Sequence, residues 1–284
     1  MRVALCNIEN LATQPAILQV LEAHKDEIKL VITSDPYSKK NGGFIAQAYK
    51  NMRFRGYGFT EYLFAKMVFL SVIRPLLKLI GMDVLPSIEQ RCNELGITYI
   101  KVEDINDASV VQLLKDQQID LLSIYYFDQI LHDEIIDVPS NGVVNFHPAY
   151  LPKCRGLFPI MFSYLYNEQN YGISAHWVEN KEIDSGPVIA QSAIKVSNAK
   201  CLLEIDRKVS NHFPALYTQV LEILQNQQVN ASVQAQQSSY YSYPQKAQLR
   251  ELNETLPLIN WCWVLRALGT KSTHYVDKQV SKPN

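Results

Sequence analysis

Between Val143 and Pro187 the chain carries three residues whose types and spacing suit acyl-transfer chemistry. Asn145 and His147 lie two apart at the end of a short apolar run, Gly142 to Phe146, which halts at Pro148. Side chains alternate along a strand, so the two project to one face. Proline cannot extend the ladder and holds the residue before it extended, so the strand should end at its histidine. Asp184 follows in the turn-forming run Glu182-Ile183-Asp184-Ser185-Gly186-Pro187. A carboxamide can donate to a developing oxyanion, an imidazole can carry a proton, and a carboxylate can orient that imidazole and stabilise its cation. Each residue alone has a plainer role: a strand-end histidine is commonly a structural hydrogen-bonding group, and Asp before Ser-Gly-Pro commonly nucleates a turn.

The elements that must position these groups alternate between strand and helix. Arg2 to Cys6, Ile28 to Thr33, Tyr99 to Val102, Asp120 to Tyr126, Ile173 to Val178 and Val188 to Ala193 read as strands. Helices are expected over Pro15–His24, Ile88–Leu95, Val110–Gln118 and Leu157–Tyr166, with one long helix from Leu202 to Leu224 kinked at Pro214. Gln225 to Gln237 alternates at Val229, Ala231, Val233 and Ala235, suggesting a strand. Leu256 to Leu268 suggests a last helix, with Lys278 to Asn284 fraying. The pattern implies an α/β fold with a doubly wound, mostly parallel, Rossmann-like sheet. In such sheets ligands sit beyond the carboxyl ends of the strands, where Asn145 and His147 would lie. Residues 1–225 form the expected catalytic domain and 226–284 a small C-terminal tail. The opening βαβ unit with Asp35 invites a dinucleotide reading, but Asn7-Ile8-Glu9-Asn10 stands where the glycine-rich turn belongs.

Five scattered cysteines without a Cys-x-x-Cys argue against a disulfide framework or a zinc site and for a reducing cytosol. Cys154 is expected to pack rather than react. No secretory signal is read at the start, and a cytoplasmic location is expected. A net charge of −1 gives no chain-wide case for nucleic acid. Tyr37 to Met82 is different, with eight basic residues (Lys39, Lys40, Lys50, Arg53, Arg55, Lys66, Arg74, Lys78) against Glu61 alone. Laid on one helix, Phe59 to Ile80 would present Lys66, Arg74 and Lys78 opposite most apolar positions. It would be either a lid with a solvated basic face or a peripheral contact with an anionic membrane.

The joint motif resembles the formyltransferases that use 10-formyltetrahydrofolate, which act on glycinamide ribonucleotide, methionyl-tRNA or amino sugars. Asn145, His147, Leu151, Pro152, Arg155, Gly156, Gly172, His176, Asp184, Gly186 and Pro187 match their pattern; Ala149 and Tyr150 depart from it. The resemblance lapses over Tyr37 to Met82, which reads as a helical insertion. It implies Asn145, His147 and Asp184 as catalytic. It implies that Tyr125, Tyr126, Phe127, Asp128, Gln129, Ile130, Leu131, Gly156 and Ile183 receive the folate. Tyr150, Lys153, Arg155 and His176 would face the acceptor amine, which itself serves as the nucleophile, so no nucleophilic Ser or Cys is required. His24, His132, His212 and His274 have no matching context and read as structural or surface. An amino-sugar acceptor on a nucleotide or lipid carrier is the favoured reading, and a homodimer is compatible with it. Methionyl-tRNA is disfavoured because residues 225–284 are short for a closed barrel. A formyl-folate deformylase, with water replacing the amine, is the hydrolytic alternative. A binding module should have lost the three-residue set.

Overall fold

The computed structural model describes residues 1–37, 42–166, 171–234 and 237–269. Lys39, Lys40, Ala235, His274 and the tail expected to fray from Lys278 lie outside these. In chain order the elements begin with β1 (Val3–Asn7), α1 (Gln14–Ala23), β2 (Ile28–Ser34), α2 (Gly43–Arg55), α3 (Tyr57–Met67), α4 (Phe69–Leu79) and α5 (Ile88–Leu95). β3 (Thr98–Val102), α6 (Ala108–Asp116), β4 (Leu121–Tyr125), α7 (Asp133–Ile136), β5 (Val143–His147), β6 (Arg155–Gly156) and α8 (Pro159–Leu165) follow. The chain continues through β7 (Tyr171–Trp177), β8 (Val188–Ile194), α9 (Leu202–Ser210), α10 (Phe213–Gln225), β9 (Tyr240–Tyr241), α11 (Lys246–Thr255) and α12 (Trp261–Ala267).

Seven strands form one sheet in the order β3-β2-β1-β4-β5-β7-β8, parallel through β5 and antiparallel from β5 to β8. Alternation along β1 explains its two covered faces. Val3 and Leu5 join the larger core beneath α1, α9 and α10, while Ala4 and Cys6 join the core under α6 and α7. The strand order reverses between β1 and β4, whose ends are level, with Asn7 opposite Tyr125. That is the place where a doubly wound sheet opens a crevice. The turn leaving β1 is closed by Asn10 instead of glycines: its Oδ1 accepts from the amides of Ala12 and Thr13 at 3.0 and 3.1 Å.

Two expected elements differ, and one helix is new. Pro214 starts α10 rather than kinking one helix, because a first-turn proline lacks only an amide that is unpaired anyway. The alternating run after Gln225 makes no strand among the described residues. Only Ser232 bridges to Val188, and Val233 is 86% exposed, so alternation without a partner edge did not suffice. The helix α11 was not anticipated.

The insertion is helical, but two of the three cations expected on its solvated face, Lys66 and Arg74, are buried. Phe59 to Ile80 is two helices, α3 and α4, broken at Val68, and the break resets the phase on which the single-helix projection rested. Lys66 is buried and pairs with Asp206 of α9, which also accepts from the Tyr126 hydroxyl. Arg74 is buried too, bonded to Glu9 at 2.6 Å and to the Leu85 carbonyl at 2.9 Å. Apolar Val72, Leu76 and Leu79 face outward instead. This packing removes two of the three cations on which either a solvated basic face or peripheral membrane contact through 59–80 was argued. No helix among the described residues is long and apolar enough to cross a membrane.

Removing one member of a buried ion pair strands the other, at about 3–5 kcal/mol. Lys66→Met should therefore lose stability on that scale in urea unfolding, and Lys66→Met/Asp206→Leu should recover much of it. Parental stability in the single variant would contradict the pairing.

Candidate active site

Pro148 ends β5 as its chemistry requires, leaving Asn145 and His147 on one face at the strand's carboxyl end. β7 runs antiparallel beside it, in a register that sets His176 opposite Asn145. Asp184 sits in the β7–β8 turn with φ +51°, a conformation costly for a non-glycine residue and maintained by its surroundings. Its Oδ1 accepts from Asn145 Nδ2 at 2.9 Å and lies 3.4 Å from His176 Nε2. Its Oδ2 accepts from the Gly156 amide at 2.9 Å and lies 3.3 Å from His147 Nδ1. One buried carboxylate thus gathers four groups from three segments.

The acceptors around the rings fix their tautomers. His147 Nε2 lies 2.8 Å from the Cys154 carbonyl, which can only accept, so Nε2 carries a proton. His176 Nδ1 likewise donates to the Trp177 carbonyl at 2.9 Å, and its Nε2 lies 3.1 Å from Asn145 Nδ2 and 3.4 Å from Asp184 Oδ1. Burial lowers the His147 pKa below the ordinary histidine value, with Asp184 and the Cys154 carbonyl acting against it. For Asp184, burial alone would raise the pKa; His147, His176 and the Gly156 amide overcome this and hold the carboxyl well below the usual carboxylate range.

Contacts from the tail hold this geometry in place. β9 pairs with β6, with Arg155 N donating to Ser239 O and Leu157 N to Tyr241 O, each at 2.9 Å. Gly156 must be glycine: its φ is +93°, and a Cβ would lie 2.1 Å from the Tyr241 carbonyl. Gln234 Nε2 donates to the carbonyls of Asp184 and Gly186, both at 2.9 Å. Ser174 Oγ accepts from Leu151 N at 3.0 Å and donates to Ala149 O at 2.7 Å, fixing the loop after His147. Sequence reading missed Gln234, Ser239 and Ser174, because polar residues so distant from their partners leave no local pattern.

A cavity of about 820 Å³ opens over the ends of β1, β4 and β5. Asn145, His147, His176, Ile183, Asp184, Gly156 and the Tyr126–Leu131 stretch line it. That loop is braced from outside, since Gln129 accepts from Ile105 N at 2.7 Å and donates to Ser34 Oγ at 2.8 Å. Four expected site residues stand outside the lining. Tyr125 is fully buried and stacked on Phe213 at 3.8 Å, since strand parity turns it into the core. Tyr150 packs over Gly172, and Lys153 is exposed beyond the cavity. Arg155 turns its guanidinium to the Ile183 carbonyl, at 2.9 Å from Nε, so it closes the loops on one another.

A model of the formyl transferase family matches residues 77–221, half of the chain. The chain belongs to the formyl transferase family. The matched stretch begins at the end of α4, so nearly all of the insertion precedes it. The chain is 30% identical over 132 residues to a methionyl-tRNA formyltransferase of Fusobacterium nucleatum, covering 46% of this chain and 42% of that one. A methionyl-tRNA formyltransferase of Borrelia turicatae is 29% identical over 220 residues, covering 66% and 71%. The chain spans about half or less of the length of the first such relatives. Among solved structures, the sugar 3N-formyl transferase WlaRD superposes with a TM-score of 0.53 at 17% identity, covering 92% of this chain and 83% of that one. The phosphoribosylglycinamide formyltransferase of Bacillus halodurans gives 0.54 at 19%, covering 81% and 98%. These two likenesses establish the formyltransferase fold.

The lowered His147 pKa has a consequence for stability. The folded chain binds this proton less readily than the unfolded chain, whose histidine titrates near 6.5. Stability contributed by neutral His147 is complete above that value and is lost as pH falls toward the folded pKa. The stability difference between the parent and His147→Gln, from urea unfolding between about pH 8 and about pH 5, should shift against the parent below 6.5. A difference independent of pH would contradict a neutral buried His147.

Proposed function

We propose that this protein transfers a formyl group from 10-formyltetrahydrofolate to the primary amine of a small acceptor, an amino sugar on a nucleotide or lipid carrier. The observation that carries the reading is the convergence of Asn145, His147 and Asp184 on one cavity that Phe127–Leu131 also wall. Its volume suits a small-molecule site, and a loop braced by Gln129 keeps peptide groups at the wall where a pterin would dock.

Bound folate supplies the electrophilic formyl carbon on N10. Neutral His147, with Nε2–H held by the Cys154 carbonyl, offers its Nδ1 lone pair to the proton the amine loses on attack. The imidazolium so formed is met on both sides, by Asp184 at Nδ1 and by Cys154 at Nε2, and it returns the proton to N10 as the bond between N10 and the formyl carbon breaks and tetrahydrofolate leaves. Asn145 serves the negative oxygen with the Nδ2–H otherwise aimed at His176, the longer of its two bonds. A donor in that role contributes about 2.7–4 kcal/mol, and positioned proton transfer roughly 10²–10⁴-fold. His176 keeps the carboxamide facing Asp184.

A second reading has support of its own: the sequence relatives are named methionyl-tRNA formyltransferases, so an aminoacyl-tRNA is the competing acceptor.

The test is incubation with 10-formyltetrahydrofolate and, separately, amino-sugar nucleotides, methionyl-tRNA and no acceptor, following folate release and product mass. Formylated amino sugar is the expected product. Formyl-methionyl-tRNA alone would transfer the assignment to the second reading, formate without acceptor would mark a hydrolase, and no turnover in any arm would overturn the proposal. His147→Ala and Asp184→Asn should each cut turnover by at least about two orders of magnitude.

A further inference from the structure

The insertion lines part of the same cavity, and its charge there is one-sided. From residues 42–67 it takes the cations Lys50, Arg55 and Lys66 and no carboxylate. Lys66 is neutralised by Asp206. Glu61 is turned to the Trp261 indole, which donates to it at 2.8 Å. Arg55 differs from both. It closes α2, half-buried, and its guanidinium carbon lies 4.1 Å from the ring centre of Tyr243, from the segment after β9. One terminal nitrogen donates to Asn51 Oδ1 at 2.9 Å, while Nε is buried without a hydrogen-bond partner. Among the described residues no carboxylate pairs with it.

A guanidinium stacked on an aromatic ring is oriented in advance, and its fork matches the oxygens of phosphate or carboxylate. Tyr243 in turn rests on Phe158, ring centres 5.5 Å apart, and Phe158 lies two residues beyond the Gly156 that Asp184 holds. The cation therefore stands on the same cavity as the carboxylate network.

We propose that Arg55, stacked on Tyr243 and bonded to Asn51, with Lys50 lining the same cavity, is an anion subsite for a phosphate group carried by the amine acceptor. The inference rests on the formyl-transfer reading only for the word acceptor; the subsite itself stands on the geometry. Two phosphate sources share this chemistry, a nucleoside diphosphate and a lipid-linked diphosphate. A third anion, the glutamate tail of folate, would place Arg55 on the donor side instead.

Calorimetric titration of the full chain with inorganic pyrophosphate tests the subsite without turnover. Saturable binding to the parent is expected, weakened about tenfold or more by Arg55→Gln and less by Arg55→Lys, with circular dichroism confirming the fold. If Arg55→Gln does not fold, Lys50→Gln and Tyr243→Leu carry the comparison, each expected to weaken pyrophosphate. Repeating the titration with saturating reduced folate should leave pyrophosphate binding in place. UDP binding more tightly than pyrophosphate would identify a nucleotide source, and a short alkyl diphosphate doing so a lipid source. No pyrophosphate binding, or equal binding by the variants, would overturn the subsite. Mutual exclusion of pyrophosphate and folate would overturn its assignment to the acceptor. Failure of folate to bind, with pyrophosphate behaving as expected, would overturn the transfer reading and leave the anion site.

Discussion

One buried carboxylate organises the site. Asp184 receives Asn145 and the Gly156 amide and stands beside His147 and His176, so it joins β5, the loop after it and the β7–β8 turn. Charge-assisted bonds of this kind contribute about 1.5–3 kcal/mol each, more than neutral ones. The left-handed backbone at Asp184 is maintained because Gln234 holds the carbonyls of both Asp184 and Gly186. Close backbone approach is essential too: a side chain at Gly186 would place a Cβ 1.9 Å from the Trp177 carbonyl. The carboxylate is thus fixed by its second ring of contacts as much as by its first.

Two segments outside the parallel sheet complete that arrangement. The tail returns from α10 to pair with the loop after β5 at Arg155 and Gly156, and its Ser239 receives the Cys154 amide at 2.8 Å. The insertion is docked by Lys66 on Asp206 and by Arg74 on Glu9, both buried. Of the segment's cations, Lys66 and Arg74 are spent inward, on attachment to the core, while Arg55 and Lys50 line the cavity without a carboxylate partner among the described residues. A composition count could not distinguish these uses, because it is blind to which cations find carboxylates.

What was legible in the sequence was local. Asn145, His147 and Pro148 lie within four residues and obey the period of a strand, so their shared face and the strand's end followed directly. The strand–helix alternation likewise carried the sheet. Tyr125 was misassigned because a run of neighbours was taken together, while strand parity sends Tyr125 to Phe213 and Tyr126 to the cavity. The helix projection over 59–80 failed at Val68, where a single break rotates everything beyond it. Gln234 and Ser239 left no trace, since their partners are 50 and 85 residues away.

The central claim is that Asp184 is ionised and holds its neighbours by charge, and the carboxyl carbon of Asp184 reports it directly. With carboxyl-labelled aspartate and an Asp184→Asn variant for assignment, its carbon resonance can be followed by NMR as the pH is lowered. The resonance should stay at its ionised position through the usual carboxylate range, until the protein itself unfolds. A titration midpoint within or above that range, while the rest of the spectrum remains folded, would contradict the account.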